Sequence, residues 1–600
     1  MLRRALLLTS LALLGFGGMA SAKLVADPVT TDPLATGPSA TPTASTVATT
    51  TPPPLTTGTT RPATTTTRPV TTTKATTTTA VGTTTTTTTT TTPSLAETTA
   101  GGSLVISGHG WGHGIGMAQW GANGYAQHGW DYRQILAHYY QGTTIATHSA
   151  PAVRVLLADG RSRVTLASDS AWKVVDAHGT SVALPAGPLQ VAADLVVSGR
   201  TLSSPLTFSP GTAPLRIGKS SYRGKLLLVS NGKRLQAVNS LPLEAYVLGV
   251  VGREMPSNWP AAALQTQAVA ARSYALAELE NVVTARAYDL YSDTRSQVYG
   301  GIAAESAAVT AAVRATARQV VLYGGKVATT YFSSSSGGRT ASAAEAWGKP
   351  VPYLVSVDDP YDTLSPYHDW GPVLVDVRKA ARALKVPGDL LALDLTPGPS
   401  GHVAQVDAVG SRGDVKLSGS AVRTALELRS SWFSVGWLAL TPPSVPVAYG
   451  GSGTLTGTVR GVGSVTLEQR TATGAWQTLA PVSPRSDGTF TVTVQPSATT
   501  EYRLAAGQVR AALVQVTVAP LVSASAGAGT VQGTVRPALA GAAVQLQRQS
   551  GASWTTVATG TTDVAGAFAV AAQLSPGSYR VRCAPGHGLS PGVSQPILQT

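Results

Sequence analysis

Ten consecutive threonines, Thr83 to Thr92, lie in a segment of mostly Thr, Pro and Ala that extends from Lys23 to Ala100. So few apolar side chains cannot offset the conformational entropy that folding removes. We therefore expect residues 23–100 to form a disordered, extended linker. Folded structure must begin near Gly101, where Trp, Tyr, His and Met become frequent.

The first 22 residues have the pattern of an export signal. Arg3 and Arg4 precede a short apolar run that ends at Leu14, and Ala20-Ser21-Ala22 offers a cleavage site. We interpret residues 1–22 as a secretory signal peptide, since the apolar run is too short to span a membrane. The mature protein is therefore expected to be secreted, extracellular or in the cell wall, without a transmembrane span.

Charge and cysteine content exclude several functions. The formal net charge is +14, but the basic residues form no dense block, so nucleic acid is not an expected partner. An anionic wall polymer, or solubility alone, accounts for the charge. Cys583 is the only cysteine, which excludes an intramolecular disulfide and Cys-rich zinc modules.

Residues 101–440 have the pattern of an α+β domain, because strand and helix signals mix without regular alternation. Alternating apolar residues predict strands at Val153–Leu157, Val182–Leu184 and Lys225–Val229. Helices are predicted at Leu243–Gly252 and from about Pro260 to Glu280. In the second helix one face carries mostly small residues, namely Ala261, Leu264, Ala268, Ala271 and Ala275.

The chain after Pro442 consists of short alternating runs separated by Gly, Ser and Asp-Gly turns. Val465–Arg470, Trp476 and Tyr502-Arg503-Leu504 recur about 80 residues later, as Val544–Arg548, Trp554 and Tyr579-Arg580-Val581. This repeat predicts two tandem all-β, Ig-like sandwich domains, residues 443–519 and 520–600. Their predicted role is that of spacers or weak wall-binding modules.

A glycine-rich segment, Gly108–Ala122, follows the linker and contains His109, His113 and Gln119. Its glycines let the backbone approach a partner closely. Two histidines four residues apart suit a metal, but no acidic residue or cysteine lies nearby to complete a site. We therefore expect no metal and no cofactor, and interpret the segment as a loop that lines a cleft.

Glu254 lies at the end of the first predicted helix, because Pro256 prevents continuation. The helix dipole and apolar neighbours would both favour the protonated carboxyl, as a general acid requires. Taken alone, a glutamate at a helix end is more often a solvated surface residue.

A third group of polar and aromatic residues lies among glycines and suits a carbohydrate groove. We assign substrate binding to Gln297, Tyr299, Tyr331, Ser335 and Arg339. A serine nucleophile is not favoured, because the sequence has no Gly-x-Ser-x-Gly motif.

Several of these stretches together resemble the SpoIID/LytB family. The resemblance spans about Gly101 to Val435. It rests on Glu254-Met255-Pro256, on the stretch from Gln267 to Tyr274, on Gln297–Gly301 and on Ser335–Thr340. His113–Ala122 and Leu426–Phe433 also match. The histidine motif precedes the glutamate motif here, whereas in the sporulation proteins it follows.

Membership of this family implies a peptidoglycan lytic transglycosylase that acts on glycan strands stripped of stem peptides. The family acid then falls on Glu254, and Arg272 joins the substrate-binding residues. One carboxyl would suffice, although Asp293 or Glu345 could lie close in space. Some relatives modify a cell-wall amidase, so a non-catalytic glycan-binding modifier of such an amidase is the alternative. A purely structural wall protein would leave the central motifs without a purpose.

Overall fold

A computed structural model describes residues 102–149, 151–280 and 286–600. The predicted signal peptide, residues 1–22, and the predicted linker, residues 23–100, lie outside these ranges. Within them, no helix has both the length and the apolar character needed to cross a bilayer.

Helices occur only before residue 426 of the described chain. They are α1 Gln119–Gln127, α2 Tyr132–Tyr139, α3 Leu243–Glu254, α4 Ala261–Glu280, α5 Ala307–Ala315, α6 Ala343–Trp347, α7 Val377–Ala383 and α8 Gly419–Ala425, with 3₁₀ turns at Gly301–Ala304 and Pro360–Leu364. The two predicted helices are α3, which continues two residues beyond Gly252, and α4.

Strands up to residue 441 are mostly short. They are β1 Ser103–His109, β2 Met117–Ala118, β3 Thr144–Thr147, β4 Ala152–Arg161, β5 Arg163–Ser168, β6 Trp172–Val175, β7 Ser181–Leu184, β8 Gly187–Ala192, β9 Val196–Val197, β10 Arg200–Thr201, β11 Leu206–Ser209, β12 Leu215–Ile217, β13 Ser220–Tyr222, β14 Lys225–Ser230, β15 Leu235–Pro242, β16 Leu290–Tyr291, β17 Gln319–Tyr323, β18 Lys326–Val327, β19 Phe332–Ser333, β20 Asp369–Asp376, β21 Leu390–Pro397, β22 Val403–Gly410, β23 Val415–Ser418 and β24 Trp432–Thr441. The three predicted strands are confirmed as parts of β4, β7 and β14.

Helix α4 is the centre of the helical layer and contacts α1, α2, α3, α5 and β17. Every residue from Thr266 to Glu278 is buried, whereas Ala261 in its first turn is exposed. Of the small-residue face, Leu264, Ala268, Ala271 and Ala275 are therefore buried, and burial extends around the whole helix beyond its first turn. A helix surrounded on all sides has no solvent stripe, so its apolar residues show no helical period.

Two sheets, antiparallel except for the parallel pairing of β16 with β4, pack beside this helical layer. The larger has the order β16-β4-β15-β14-β11-β6-β7 and the smaller β13-β12-β5-β8. They share an apolar core that includes Leu166, Phe208 and Leu228. Helices gathered on one side of antiparallel sheets are the arrangement of an α+β domain.

The remaining strands belong to the C-terminal region. They are β25 Val447–Ala448, β26 Gly453–Arg460, β27 Val465–Thr471, β28 Gln477–Val482, β29 Thr489–Val494, β30 Thr500–Ala506, β31 Val509–Val516, β32 Val518–Ala519, β33 Leu521–Gly527, β34 Thr530–Arg536, β35 Ala543–Ser550, β36 Ser553–Thr561, β37 Ala567–Ala571, β38 Gly577–Cys583, β39 Gly592–Val593 and β40 Ile597–Gln599.

The C-terminal strands form two successive units of facing sheets. In the first unit β28-β27-β30-β31 shares a core with β26 and β29. In the second, β33-β34-β37 faces β36-β35-β38-β39, with β40 beside β38. The repeat appears in the register, because Leu467 lies opposite Leu504 as Leu546 lies opposite Val581. Their Ig-like topology stays a prediction.

One sheet crosses the predicted domain boundary between residues 440 and 443. Its order is β20-β1-β24-β26-β29, so β24 joins β1 to the first C-terminal unit. Val105 of β1 packs into the same core as Leu455 and Phe490. The predicted boundary therefore separates two regions of the sequence whose strands belong to one sheet.

We predict that a chain ending at Thr441 unfolds more easily than one ending at Ala519. The shorter chain exposes Val105, Leu438 and Leu440, each of which stabilises by roughly 1.5–3 kcal/mol when buried. The longer chain keeps the shared sheet and loses only the second unit. Thermal unfolding followed by near-ultraviolet circular dichroism measures both midpoints. Equal midpoints for the two truncated chains would contradict the shared sheet's contribution.

Candidate functional site

Glu254 is the last residue of α3 and its side chain is completely buried. Met255 takes an extended backbone conformation, as expected before Pro256. The chain then turns and enters α4 six residues later. The local sequence thus ends α3 at the carboxylate, and α4 begins a few residues after it.

The Glu254 carboxylate accepts hydrogen bonds from two distant segments. Its Oε1 accepts the backbone N–H of Val298 at 2.8 Å, and its Oε2 accepts the Gln119 side-chain amide at 3.4 Å. The same Gln119 Nε2 lies 3.4 Å from Gln267 Oε1 on α4. Three of the sequence motifs therefore meet at one buried carboxylate.

The glycine-rich segment brings Gln119 to this position. Gly116 has a φ of 70°, and a Cβ there would clash with the carbonyl oxygen of Tyr331. Strand β2 follows and pairs in parallel with β19, after which α1 begins at Gln119. The predicted close backbone approach is therefore confirmed, and its partner is another segment of the same chain.

Helix α3 also lies in close contact with the loop of residues 298–304. A Cβ at Gly249 would clash with the Tyr299 ring, and a Cβ at Gly252 with the Ala304 carbonyl oxygen. Gly300 N–H donates to the Gly249 carbonyl at 2.9 Å. These contacts fix the loop that supplies the Val298 amide.

Several buried polar atoms in the segments that meet here have no hydrogen-bond partner among the described residues. They are Gln119 Oε1, Trp120 Nε1, Gln267 Nε2, Gln297 Nε2 and Ser334 Oγ. Leaving such atoms unsatisfied costs about 1–3 kcal/mol each. Glutamine amides and an indole N–H can bind hydroxyl and acetamido groups, so this cluster is suited to a polar, uncharged ligand. We call Gln119, Glu254, Gln267 and Gln297 the glutamine–glutamate cluster.

Tyr246 supports the cluster from α3. Its hydroxyl donates to Gln297 Oε1 at 3.0 Å, which leaves the Gln297 amide nitrogen directed elsewhere. Burial, together with nearby tyrosine and glutamate charges, raises the pKa of Tyr246 far above its ordinary value. The hydroxyl therefore stays a neutral donor.

The other predicted aromatic residues have mixed positions. Tyr299 stacks on Tyr246 with ring centroids 5.3 Å apart and donates to Asn239 at 2.7 Å, which is a packing role. The Tyr331 ring lies 5.8 Å from Tyr274 and 4.9 Å from Trp347. Burial raises the pKa of Tyr331 to about 12.

The structure does not bring Arg272 into the cluster. It is fully buried, and its guanidinium donates to both carboxylate oxygens of Glu244 at 2.8 and 2.9 Å. A further bond at 3.0 Å reaches the Gln319 carbonyl. The substrate-binding assignment of Arg272 is therefore corrected, because these internal partners occupy its donors and it joins α4 to α3 and β17.

The two histidines separate in the structure. His109 Nδ1 lies 2.6 Å from Asp369 Oδ1 at the surface, and its ring packs on Trp432. His113 is buried, and its Nδ1 accepts the Ile115 amide at 3.0 Å. Among the described residues, no three His, Cys, Asp or Glu side chains are grouped closely enough to hold a metal ion.

Neither of the two carboxylates considered as partners for Glu254 is directed to it. Asp293 pairs with Arg295 at 2.7 Å in an exposed turn. Glu345 caps α6 through Ser342 and accepts the Ser400 amide.

Sequence reasoning missed a second buried polar group next to the glycine-rich loops. Ser335 Oγ donates to Asp362 at 2.7 Å, and Ser336 Oγ donates to Asp359 at 2.8 Å. His368 Nδ1 lies 3.1 Å from Asp362. Both aspartates are fully buried, so they hold the Ser335–Thr340 loop rather than expose Ser335 as a nucleophile. The only sequence signal was the density of Asp, Tyr and Ser between residues 358 and 369.

Arg339, the last predicted binding residue, is partly exposed. Its guanidinium donates to Asp358 at 2.7 Å at the surface of this loop. It therefore lies beside the buried aspartates and has no described bond to the glutamine–glutamate cluster.

Comparison with known proteins matches the part of the chain that contains α3 and α4. A family model described as "Stage II sporulation protein" (SpoIID) matches residues 231–323, which include α3 and α4. Stage II sporulation protein D of Bacillus subtilis is 29% identical over 213 residues, covering 33% of this chain and 61% of that protein. Residues 231–323 of this chain are thus similar to the SpoIID family, and the named relatives include sporulation proteins and an amidase enhancer.

Two further relatives match shorter parts. An uncharacterised protein of Brachyspira hyodysenteriae is 40% identical over 136 residues, covering 23% of this chain and 37% of that protein. The amidase enhancer of B. subtilis is 38% identical over 114 residues, covering 19% of this chain and 15% of that protein. The matched part thus spans between 15% and 61% of the length of these three relatives.

We predict that Arg272→Lys destabilises the fold by about 3–5 kcal/mol, because one ammonium cannot replace a buried bidentate guanidinium. Urea unfolding measures the change. Arg339→Lys, at an exposed pair, serves as the control and should cost less than about 1 kcal/mol. Unchanged stability for Arg272→Lys, with weakened glycan binding, would restore the substrate-binding assignment.

We also predict that Asp359 makes the fold less stable as the pH rises. Burial and the neighbouring Asp362 raise its pKa to about 7, against about 4 in an unfolded chain. The folded state therefore holds the extra proton between these values, and the corresponding stability is lost as the pH rises through 7. Asp362 also raises the pKa of His368, which acts in the same direction above pH 6.5.

The variant Asp359→Asn should remove this component, which is at most about 4 kcal/mol because one pKa unit corresponds to about 1.4 kcal/mol. Urea unfolding between pH 4 and 8 compares the slopes of the unfolding free energy. Asp394→Asn, at an exposed carboxylate on β21, should leave the slope nearly unchanged. A slope identical in wild type and Asp359→Asn would refute the raised pKa.

Proposed function

We propose that this protein is a secreted peptidoglycan lytic transglycosylase that cleaves the bond between N-acetylmuramic acid and N-acetylglucosamine, with Glu254 as general acid and base. Glycan strands stripped of stem peptides are the proposed substrate. The observation that carries the proposal is the buried Glu254 carboxylate among glutamine side chains with unpaired amide atoms.

Two opposing influences act on the Glu254 proton. Complete burial disfavours the charged carboxylate, and so does its position at the negative end of the α3 dipole. Hydrogen bonds from Val298 N–H and Gln119 favour the charged form. The proposed mechanism requires the same carboxyl to give up a proton in one step and to take one back in the next.

In the proposed reaction Glu254 first protonates the glycosidic oxygen, and the bond to C1 of the muramic acid breaks through an oxocarbenium-like state. The Glu254 carboxylate then accepts the proton of the C6 hydroxyl, while the oxygen of that hydroxyl forms a bond to C1. A 1,6-anhydro ring closes, and no water is consumed. Ordinary glycosidases need a second carboxylate, whereas an attached hydroxyl reacts by proximity.

The glutamines supply the proposed sugar contacts. Gln119 Oε1, Gln267 Nε2 and Gln297 Nε2 would bind hydroxyl and acetamido groups of the rings flanking the cleaved bond. Trp120 and Trp259 are packed edge to face at 4.8 Å and lie within five residues of Gln119 and Glu254. Their planar faces suit stacking on sugar rings. Because Glu254 has no exposed surface, the proposal requires these side chains to move when glycan binds.

A second function is favoured by one comparison, the match to an amidase enhancer over 114 residues. In this alternative the chain binds glycan through the same cluster without cleaving it and modifies a cell-wall amidase. Glu254 would then be a binding residue. Both functions place the protein in the cell wall.

We predict that wild-type protein converts peptide-free glycan strands to fragments with anhydro-muramic ends, whereas Glu254→Gln loses activity by roughly 10²- to 10⁴-fold. Glutamine keeps the shape and the bond from Val298 but cannot supply the proton. Mass spectrometry of the products identifies the ends. Glu427→Gln, at an exposed position of the same domain, serves as the control and should retain full activity.

The outcomes separate the two functions. Intact glycan in all samples, with binding retained and a purified amidase stimulated, would establish the modifier and exclude the transglycosylase. Reducing ends without the anhydro ring would show that water attacks instead, which would contradict the one-carboxylate mechanism.

A further inference from the structure

Strands β36, β35 and β38 of the second C-terminal unit present a polar outer face. Their alternate residues Leu546, Val581 and Cys583 are buried in the core of the unit. The intervening residues therefore point away from that core. Directly opposed pairs on this side are Gln547 with Arg580 and Gln545 with Arg582.

Two arginines lie side by side on this face and bond to neutral partners. Arg580 Nε donates to Gln547 Oε1 at 2.9 Å, and Arg582 Nη1 donates to Gln545 Oε1 at 3.3 Å. The Arg580 guanidinium lies 4.3 Å from the centre of the Trp554 ring. We call Gln545, Gln547, Trp554, Arg580 and Arg582 the arginine face.

The first C-terminal unit has a related arrangement, in which Arg503 and Glu468 take the register positions of Arg580 and Gln547. Arg503 donates to Glu468 at 2.7 Å, and Arg470 donates to Glu501 at 2.6 Å. Both guanidiniums lie over Trp476, at 3.8 and 4.6 Å from its centre. The cation–π pair is thus common to the two units, but here carboxylates neutralise it.

The second unit contains no carboxylate to neutralise its arginines in this way. Residues 520–600 include four arginines and a single acidic residue, Asp563. The Asp563 carboxylate accepts the backbone amides of Ala565 and Ala567 in its own turn. The positive charge of the arginine face is therefore available to a ligand.

We propose that the arginine face binds a phosphodiester-linked glycopolymer of the cell wall, a flexible polyanion with sugar or polyol units between its phosphates. Arginine forks bind phosphate in a bidentate manner. Residues two apart on a strand are about 7 Å apart, so Arg580 and Arg582 can engage two charges of one chain. Trp554 offers a surface for the carbon side of the intervening unit.

This partner fits the face better than a single-stranded nucleic acid. Binding of unpaired bases relies on several aromatic rings along a basic groove. The arginine face has one indole, and residues 520–600 contain no lysine. The site is independent of Glu254, so it would retain the protein at the wall whether or not the protein cleaves glycan.

Binding of poly(glycerol phosphate) to the full-length mature protein tests the proposal by isothermal titration calorimetry at low and moderate salt. The double variant Arg580→Gln/Arg582→Gln should weaken binding at least about tenfold, since it removes both phosphate contacts. Arg460→Gln/Arg485→Gln removes the same net charge from exposed positions of the first unit and should change binding less than about twofold. Circular dichroism confirms that both variants fold.

Equal losses in the two double variants would overturn the proposal, because net charge alone would then explain binding. Equal affinity for a single-stranded oligonucleotide of matched charge would also overturn it. Glu254→Gln should leave polymer binding unchanged, so loss of catalysis and loss of this site are distinguishable.

Discussion

A carboxylate cannot be buried without partners, and the arrangement of the segments around α3 follows from how Glu254 obtains them. Its hydrogen bonds come from Gln119, more than a hundred residues earlier, and from Val298, 44 residues later. Both segments must therefore approach the end of α3 closely. Glycines at 116, 249 and 252 permit this approach, because a side chain at any of them would clash with the opposing segment.

Local rules predicted the parts of the site that depend on nearby residues. Pro256 fixed the end of α3, so the position of Glu254 at a helix terminus could be read directly. Gln119 and Gln297 followed from motifs, although nothing local showed that they would meet. Arg272 lay in the same kind of motif, yet its partner Glu244 is 28 residues away and burial decided its role. The buried Asp359 and Asp362 have no local pattern, since only the tertiary fold removes them from water.

The position of β1 explains why a domain boundary drawn on composition misses a structural connection. Composition changes at Gly101 and again after Pro442, and both changes are real features of the sequence. Strand β1 nevertheless pairs with β24, which also pairs with β26 of the first C-terminal unit. Hydrogen bonding between strands carries little compositional signature, because it uses backbone N–H and C=O groups that nearly every residue has. The segment that leads into the His109–Gln119 loop thus rests partly on the C-terminal unit.

The two C-terminal units show how an anion site can arise from a scaffold that already contains arginine. In both units the guanidinium packs on a tryptophan beside the sheet, a contact that stabilises whether or not an acid is present. Where Glu468 and Glu501 accompany it, the charge is used internally. Replacing those carboxylates by Gln547 and Ser578 keeps the packing and a hydrogen bond to Gln547, but leaves the charge unneutralised. The second unit also carries Arg582 at the register position of Ala505 in the first. Specificity for a polyanion would then combine the loss of two acids with the gain of one arginine, and the fold itself need not change.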